Sequence, residues 1–422
     1  MELKPGYKQT EVGLIPDDWG VRSLGSVISK GRLGGNYANQ DAEAELPLMK
    51  MGNLARGYFD LSKVQFIEAG VTPEPVHRLV YGDVLFNTRN TLDLVGKVAI
   101  WRDELPVAYY NSNLLRLEFD PEQICSNEYA SYSLNTKSAV SRLRGLATGT
   151  TSVAAIYTRD LLKLHILVPP LPEQRAIATV LSDVDALLDG LDRLIAKKRD
   201  LKQAAMQQLI TGETRLPGFE EAWEVKRLAE LGVTYGGLTG KTKADFGVGS
   251  AYYVTFLNVM TNVVIDCSTF DRVKVAQSEL QNRIKCGDLL FNGSSETPEE
   301  VAMCALMDVD IPNLYLNSFC FGFRFYEGTQ ANGLFMAYYI RSYEGREIMK
   351  SLAQGSTRYN LSKSALLKAT LHLPSLPEQT AIATVLSDMD AEIAALEQRR
   401  NKTRDIKQAM MQELLTGKTR LI

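Results

Sequence analysis

Several stretches of this sequence carry residue types that could do chemistry, and each lacks a part which that chemistry needs. Gly236-Gly237-Leu238-Thr239-Gly240-Lys241-Thr242 approaches the G-x-x-x-x-G-K-[S/T] loop that wraps phosphates, but Tyr235 stands where the first glycine belongs. No helix-forming run follows Lys243, so the helix N-terminus that completes such a cradle is missing, and a flexible cationic surface loop is expected instead. Asp245-Phe246-Gly247 has the form of a kinase triplet without a catalytic H-R-D or a strand lysine. Gly247-Val248-Gly249 is an incomplete dinucleotide or S-adenosylmethionine turn. Glu224-Val225-Lys226 has the E-x-K form of a nuclease half-site, but no acidic partner precedes it at a sensible spacing, and it reads as a strand. No Asn-Pro-Pro-aromatic or Asp-Pro-Pro-aromatic tetrapeptide is present to hold an amino group for methyl transfer. Cys125, Cys267, Cys286, Cys304 and Cys320 form no C-x-x-C pair and read as buried free thiols, while His77, His165 and His372 are isolated. The expectation is a chain with no catalytic residues and no metal or cofactor of its own.

The elements that would position any site follow from the bulk composition and from repetition. A chain of 422 residues implies two or three domains, and 45% hydrophobic with 23% charged residues is ordinary for globular proteins. No run of eighteen apolar residues occurs, and Met1-Glu2-Leu3-Lys4-Pro5-Gly6 is unlike a signal peptide, so no membrane span and a cytoplasmic location are expected. A net charge of −3 counts against a stand-alone nucleic-acid binder.

The sequence is written twice. Leu171-Pro172-Glu173-Gln174 opens a stretch that recurs from Leu376-Pro377-Glu378-Gln379 and runs without a gap to Thr214-Arg215-Leu216 and Thr419-Arg420-Leu421, with about 29 of 46 positions identical. Weaker echoes pair Trp19 with Trp223, Gly82-Asp83-Val84-Leu85-Phe86-Asn87 with Gly287-Asp288-Leu289-Leu290-Phe291-Asn292, and Leu146-Ala147-Thr148-Gly149-Thr150-Thr151 with Leu352-Ala353-Gln354-Gly355-Ser356-Thr357. Residues 25–80 and 229–286 have diverged almost completely, so two copies of one scaffold carry different surfaces.

In the repeated stretch Ile177, Leu181, Val184, Leu188, Leu191 and Ile195, like Ile382, Leu386, Met389, Ile393 and Leu396, recur at intervals of four and three. Lys198 and Lys202 then break the register before Ala205 and Leu209 resume it. Pro172 and Pro377 suit a first helical turn, and Gly212 and Gly417 suit a helix end. Ordinary core helices are the alternative to a coiled-coil seam, but the length and the duplication favour the seam. Upstream lie short strand-like runs such as Lys97-Val98-Ala99-Ile100-Trp101 and Phe321-Gly322-Phe323-Arg324-Phe325, with helix-like segments at 127–143 and 334–351. The fold class is mixed α/β (α+β): two tandem domains, 1–170 and 213–375, each followed by a long helix, 171–212 and 376–422, the helices forming an antiparallel coiled coil. The tail also stops where the first copy continues as Pro217-Gly218-Phe219, and Gly13-Leu14-Ile15-Pro16 resembles that continuation, so the repeat reads as circular, with Met1 and Ile422 close together.

Two variable α/β domains, each closed by Leu-Pro-Glu-Gln and a helix ending in Thr-Gly-x-Thr-Arg-Leu, resemble the specificity subunits of type I restriction-modification enzymes. The opening Gly6 to Trp19 is also similar to the start of that family. The resemblance implies two target-recognition domains that each read half of an interrupted double-stranded DNA sequence, with the helices setting the gap. It also implies two methyltransferase subunits and restriction subunits as partners, carrying S-adenosylmethionine, ATP and Mg, so that much of the phosphate-contacting surface could come from them. The DNA-contacting candidates are Asn87, Thr88, Arg89 and Asn90 with Thr148, Thr150 and Thr151 in the first domain. In the second they are Lys241 and Lys243, Asn292, Ser294 and Ser295, with Ser356, Thr357, Arg358 and Asn360. Arginine and asparagine can bond guanine and adenine edges bidentately, and hydroxyls reach bases or phosphates, although every one of these residues is also a turn former. A scaffold that spaces two modules binding something other than DNA is the competing class.

Overall fold

A computed structural model describes residues 5–421. The chain divides into two compact units, one of residues 1–192 and 398–422 and the other of residues 193–397.

In the first unit a four-stranded antiparallel sheet runs in the order Val98–Ile100, Val84–Asn87, Leu114–Phe119, Ile28–Leu33. The central strand is apolar at consecutive positions because both of its faces are covered. Val84 and Phe86 pack with Tyr129, Leu134 and Leu143 of two helices, Asn127–Leu134 and Lys137–Gly145. Leu85 faces the other way, with Met49, Trp101 and Tyr110, towards a smaller sheet. The second unit repeats the order with Cys304–Leu306, Leu289–Asn292, Cys320–Phe325 and Gly232–Gly236. Leu289 and Phe291 meet Phe335, Tyr339 and Met349, while Leu290 meets Val254, Leu314 and Leu316. The helix-like stretches expected at 127–143 and 334–351 are each two helices, because Thr136 and Ser342 cap a new N-terminus in mid-segment with their hydroxyls.

The repeated stretches form helices Leu171–Thr211 and Leu376–Leu414 of 41 and 39 residues. Gly212 and Gly417, at φ 73° and 70°, take the left-handed conformation that ends them. Within the first unit Asp185 pairs with Lys407 and Asp192 with Arg400; within the second Lys202 pairs with Asp390 (2.5 Å) and Lys198 with Glu392 (2.6 Å). Rising numbers on one helix meet falling numbers on the other, so the segments are antiparallel. Lys198 and Lys202 thus interrupt the apolar pattern to make ion pairs between helices. The Lys202 pair is duplicated: Tyr338 donates to Asp390 (2.7 Å) beneath the Lys202 ammonium, as Tyr132 donates to Asp185 (2.6 Å) beneath Lys407.

The repeated motifs are two sides of one joint. Glu173 is buried, accepting from Arg420 (2.6 Å) and the Trp19 indole (2.8 Å); Glu378 is buried and accepts two bonds from Arg215 (2.6 and 2.7 Å). The neighbouring Gln174 and Gln379 amides each donate to a carbonyl five residues back, Pro169 and Pro374, and accept from the amides of Cys125 and Asn332. A charge so buried requires its partner, which is why Glu and Arg recur together in both copies. Tyr7 Oη donates to Gly417 O (2.9 Å) and Arg420 pairs with Asp18 (2.8 Å), so the C-terminal stretch returns to the N-terminal one inside the first unit. Met1 and Ile422 themselves lie outside the described residues.

Two expectations need correction. Cys304 and Cys320 are buried thiols, but Cys125 is half-buried and Cys267 and Cys286 are exposed, these last two because each sits in a loop beyond the sheet strands. The loop after Gly236 does not present both of its cations: Asp245 accepts from the Thr242 amide and hydroxyl around a three-residue 3-10 turn, and Lys241 turns inward to Glu279 (2.5 Å) and the Lys274 carbonyl (2.7 Å). No described helix is long and apolar enough to cross a membrane.

Candidate nucleic-acid interface

In the first unit the chain leaves the central strand at Asn87 and forms a small three-stranded ribbon, in which Arg89–Asn90 pairs with Ala154–Ala155 and that with Thr148–Gly149. This brings Thr88, Arg89, Asn90, Thr148, Thr150 and Thr151 together although nearly sixty residues separate the two groups. Arg89, Thr148, Thr150 and Thr151 are exposed. Asn87 is fully buried and Thr88 donates to Asn113 O (2.8 Å), so these two brace the ribbon: Asn87 Oδ1 accepts from the Arg89 amide (3.1 Å).

The second unit builds a two-stranded counterpart from Ser294–Ser295 and Tyr359–Asn360. Ser356, Thr357, Arg358 and Asn360 are exposed, whereas Asn292, Ser294 and Ser295 are buried. Asn292 Nδ2 holds the loop through Ser294 O (3.2 Å) and Glu300 O (2.9 Å), and Ser295 donates to Glu300 (3.0 Å). Lys241 and Lys243 join no strand of this ribbon: Lys241 is held by Glu279, and Lys243 is exposed on the 3-10 turn.

The Leu-Ala-x-Gly-[Ser/Thr]-Thr motifs are the hinges of these ribbons. Gly149 has φ 123° and Gly355 φ 126°, and a Cβ on either would lie 2.3 Å from Val153 O or 2.1 Å from Arg358 O. Only glycine allows the backbone to fold back so closely.

Sequence spacing missed the cations on the turn that follows Asn90 in the first unit. Arg56 Nη1 reaches Gly96 O (3.4 Å) and Arg144 Nη2 donates to Asp93 O (3.0 Å), with Lys97 next along the chain. These residues are scattered over ninety positions, and no period or motif links them. It also missed Arg346 in the second unit, a buried guanidinium that donates to the carbonyls of Glu299 (3.1 Å), Val301 and Ala302 (3.2 Å). Burial, with Arg341 nearby, pushes its pKa down to about 10.

The architecture and its motifs have counterparts among known proteins. The type I restriction modification DNA specificity domain family matches residues 16–197 and again residues 220–403. The chain is 25% identical to a candidate specificity subunit of the MjaX type I restriction enzyme of Methanocaldococcus jannaschii, covering 98% of this chain and 97% of that one. It is 22% identical to the MjaVIII specificity subunit of the same organism, covering 98% and 96%. The crystal structure of a type I restriction-modification S subunit from M. genitalium shares the fold at a TM-score of 0.58 and 16% identity, covering 98% of each chain. With two matched copies spanning most of its length, the chain belongs to the type I restriction-modification specificity subunits, carrying two DNA specificity domains in tandem.

Proposed function

We propose that each unit reads one half of an interrupted duplex DNA target through its polar ribbon, and that the chain itself catalyses nothing. In the first unit Arg89, Asn90, Thr148, Thr150 and Thr151 supply the reading surface, positioned by Asn87 and Thr88. In the second, Ser356, Thr357, Arg358 and Asn360 supply it, positioned by Asn292, Ser294 and Ser295; Lys243 adds positive charge at a second edge, and Lys241 holds that edge in place. Methyl transfer and cleavage belong to two methyltransferase subunits and to restriction subunits, which bring S-adenosylmethionine, ATP and Mg. The observation that carries this reading is that the same sheet order ends, in both units, in a solvent-facing ribbon whose hinge glycine and hydroxyl pair (Thr150-Thr151, Ser356-Thr357) are retained while the arginine and asparagine beside them stand on different strands, Arg89 and Asn90 in one and Arg358 and Asn360 in the other. Two scaffolds alike in their cores and unlike in one exposed ribbon are suited to reading two different short sequences.

Replacing residues 229–361 with the matching region of another specificity subunit tests it. Methylome sequencing of cells carrying the hybrid with its methyltransferase partner is expected to show one half-target changed and the other intact. A change in both halves, or in neither, would overturn the reading.

A further inference from the structure

The cations beside the first ribbon lack what the fold would need to justify them. Arg56 and Arg144 lie on separate elements, yet both guanidinium groups converge on the 93–96 turn, through Asp93 O and Gly96 O, and Lys97 follows directly. Arg56 and Arg144 form no ion pair among the described residues. Arg56 Nη2 is also buried with no acceptor among those residues. Burial, then the neighbouring Arg144, lowers the pKa of Arg56; burial, then Arg56, lowers that of Lys97, with Asp60 acting in the opposite sense. Like charges gathered on one turn oppose one another, and with Asp60 acting on Lys97 but no carboxylate paired with either guanidinium among the described residues, the cluster fits an anionic ligand.

The second unit shows the satisfied alternative. Helix Tyr343–Leu352 carries Lys350 where helix Lys137–Gly145 carries Arg144, and Lys350 is neutralised by Glu347 (2.8 Å) and Glu299 (3.6 Å). Met303, whose carbonyl receives the Asn292 amide, stands where Lys97 O receives that of Asn87.

We propose that Arg56, Lys97 and Arg144 form a site for a phosphate of the DNA backbone, and that this site makes the first unit the electrostatic anchor of the complex while the second binds with little phosphate contact at the equivalent position. Two guanidinium groups and an ammonium around one turn offer charged donors to the non-bridging oxygens of a phosphodiester. The site lies on the same turn that leads from Asn90 back to the sheet, so a phosphate held there sets the register of the bases presented to Arg89 and Asn90. The proposal rests on the reading of the ribbons as DNA-facing.

The test measures binding of the specificity–methyltransferase complex to fluorescent duplex DNA, cognate and random, over a range of KCl concentrations. Wild type is compared with the Arg56→Gln, Lys97→Gln, Arg144→Gln triple variant, with Lys97→Gln alone, whose ammonium supports no carbonyl, and with Lys350→Gln. The triple variant is expected to lower the slope of log affinity against log salt by about 1 for each phosphate it no longer neutralises. Cognate and random DNA should weaken alike, Lys97→Gln should move the slope part of the way, and Lys350→Gln should leave it unchanged. An unaltered slope in both Lys97→Gln and the triple variant would overturn the phosphate site, as would an equal shift from Lys350→Gln. If cognate and random DNA bind the wild-type complex equally, the DNA-reading function itself fails, which is a separate result.

Discussion

The turns that follow Asn87 and Asn292 start from the same strand position and solve the same structural problem in opposite ways. In the first unit the turn bends at Gly96, φ 73°, and is held by Arg56 at Gly96 O and Arg144 at Asp93 O. In the second it bends at Ala302, φ 59°, and is held from beneath by the buried Arg346. An alanine in the left-handed region costs strain that glycine avoids, and three charge-assisted bonds from one buried guanidinium can sustain it. Duplicated scaffolds thus keep strand order and hinge glycines while the support under the variable loop passes from two partly exposed arginines to one buried one. Arg346 commits all three of its donor nitrogens to the turn, whereas Arg56 Nη2 is left without an acceptor among the described residues.

The largest effect bearing on this contrast is expected from Arg346→Met. Removing the buried guanidinium orphans carbonyls of the 299–302 turn and should destabilise the chain by roughly 3 kcal/mol. Thermal unfolding reads the cost, and methylation should relax in the second half-target alone; relaxation in both halves would contradict a support confined to one unit.

Next, Gly149→Ala and Gly355→Ala should each cost about 1–3 kcal/mol, from a forced Cβ contact at positive φ. Each should impair recognition of its own half, because the two hinges are alike where the loop supports differ. A variant whose effect appeared in the other half would show the ribbons to be assigned wrongly.

A smaller effect, about 1 kcal/mol, is expected from Asp390→Lys, which breaks the pair with Lys202, with recovery when Lys202→Asp is added. The equivalent exchange at Asp185 and Lys407 should recover in the same direction but less fully, since the Tyr–Asp–Lys contact is one feature in two copies while Asp185 also meets Arg102 (3.8 Å). Recovery in one unit only would mean that the helix pairing is not duplicated in energy as it is in geometry.

The smallest is Ala302→Gly, which gives the second turn the residue of the first. It should be neutral or stabilising by up to about 1 kcal/mol, relief of φ strain being offset by a more flexible unfolded chain. A clear loss of stability would show that Ala302 is not strained.

Much of this architecture could be read along the chain. The period of four and three placed the long helices, because burial of one stripe imposes it on consecutive residues. Pro172, Pro377, Gly212 and Gly417 placed their ends through backbone constraints that act locally. The Leu-Pro-Glu-Gln and Thr-Arg-Leu motifs were visible as a repeat, although their meeting in a buried ion pair was not. The ribbons were partly legible: the anchors at Asn87 and Asn292 led to loops that the fold joins into small strands, but which side chains lay on the surface did not follow from residue type. Asparagine and serine satisfy a turn's own backbone as readily as they face solvent.

The duplication, the helices, the hinge glycines and the family were therefore fixed by the order of residues alone, since each depends on positions close together in the chain or on one copy repeating another. It took the packed fold to make Asn87 and Asn292 internal braces, to tie Lys241 to Glu279, and to gather Arg56, Lys97 and Arg144 on one turn. Those outcomes depend on which segments pack across the sheet, and the burial and electrostatics of a charged side chain are set by neighbours distant in sequence.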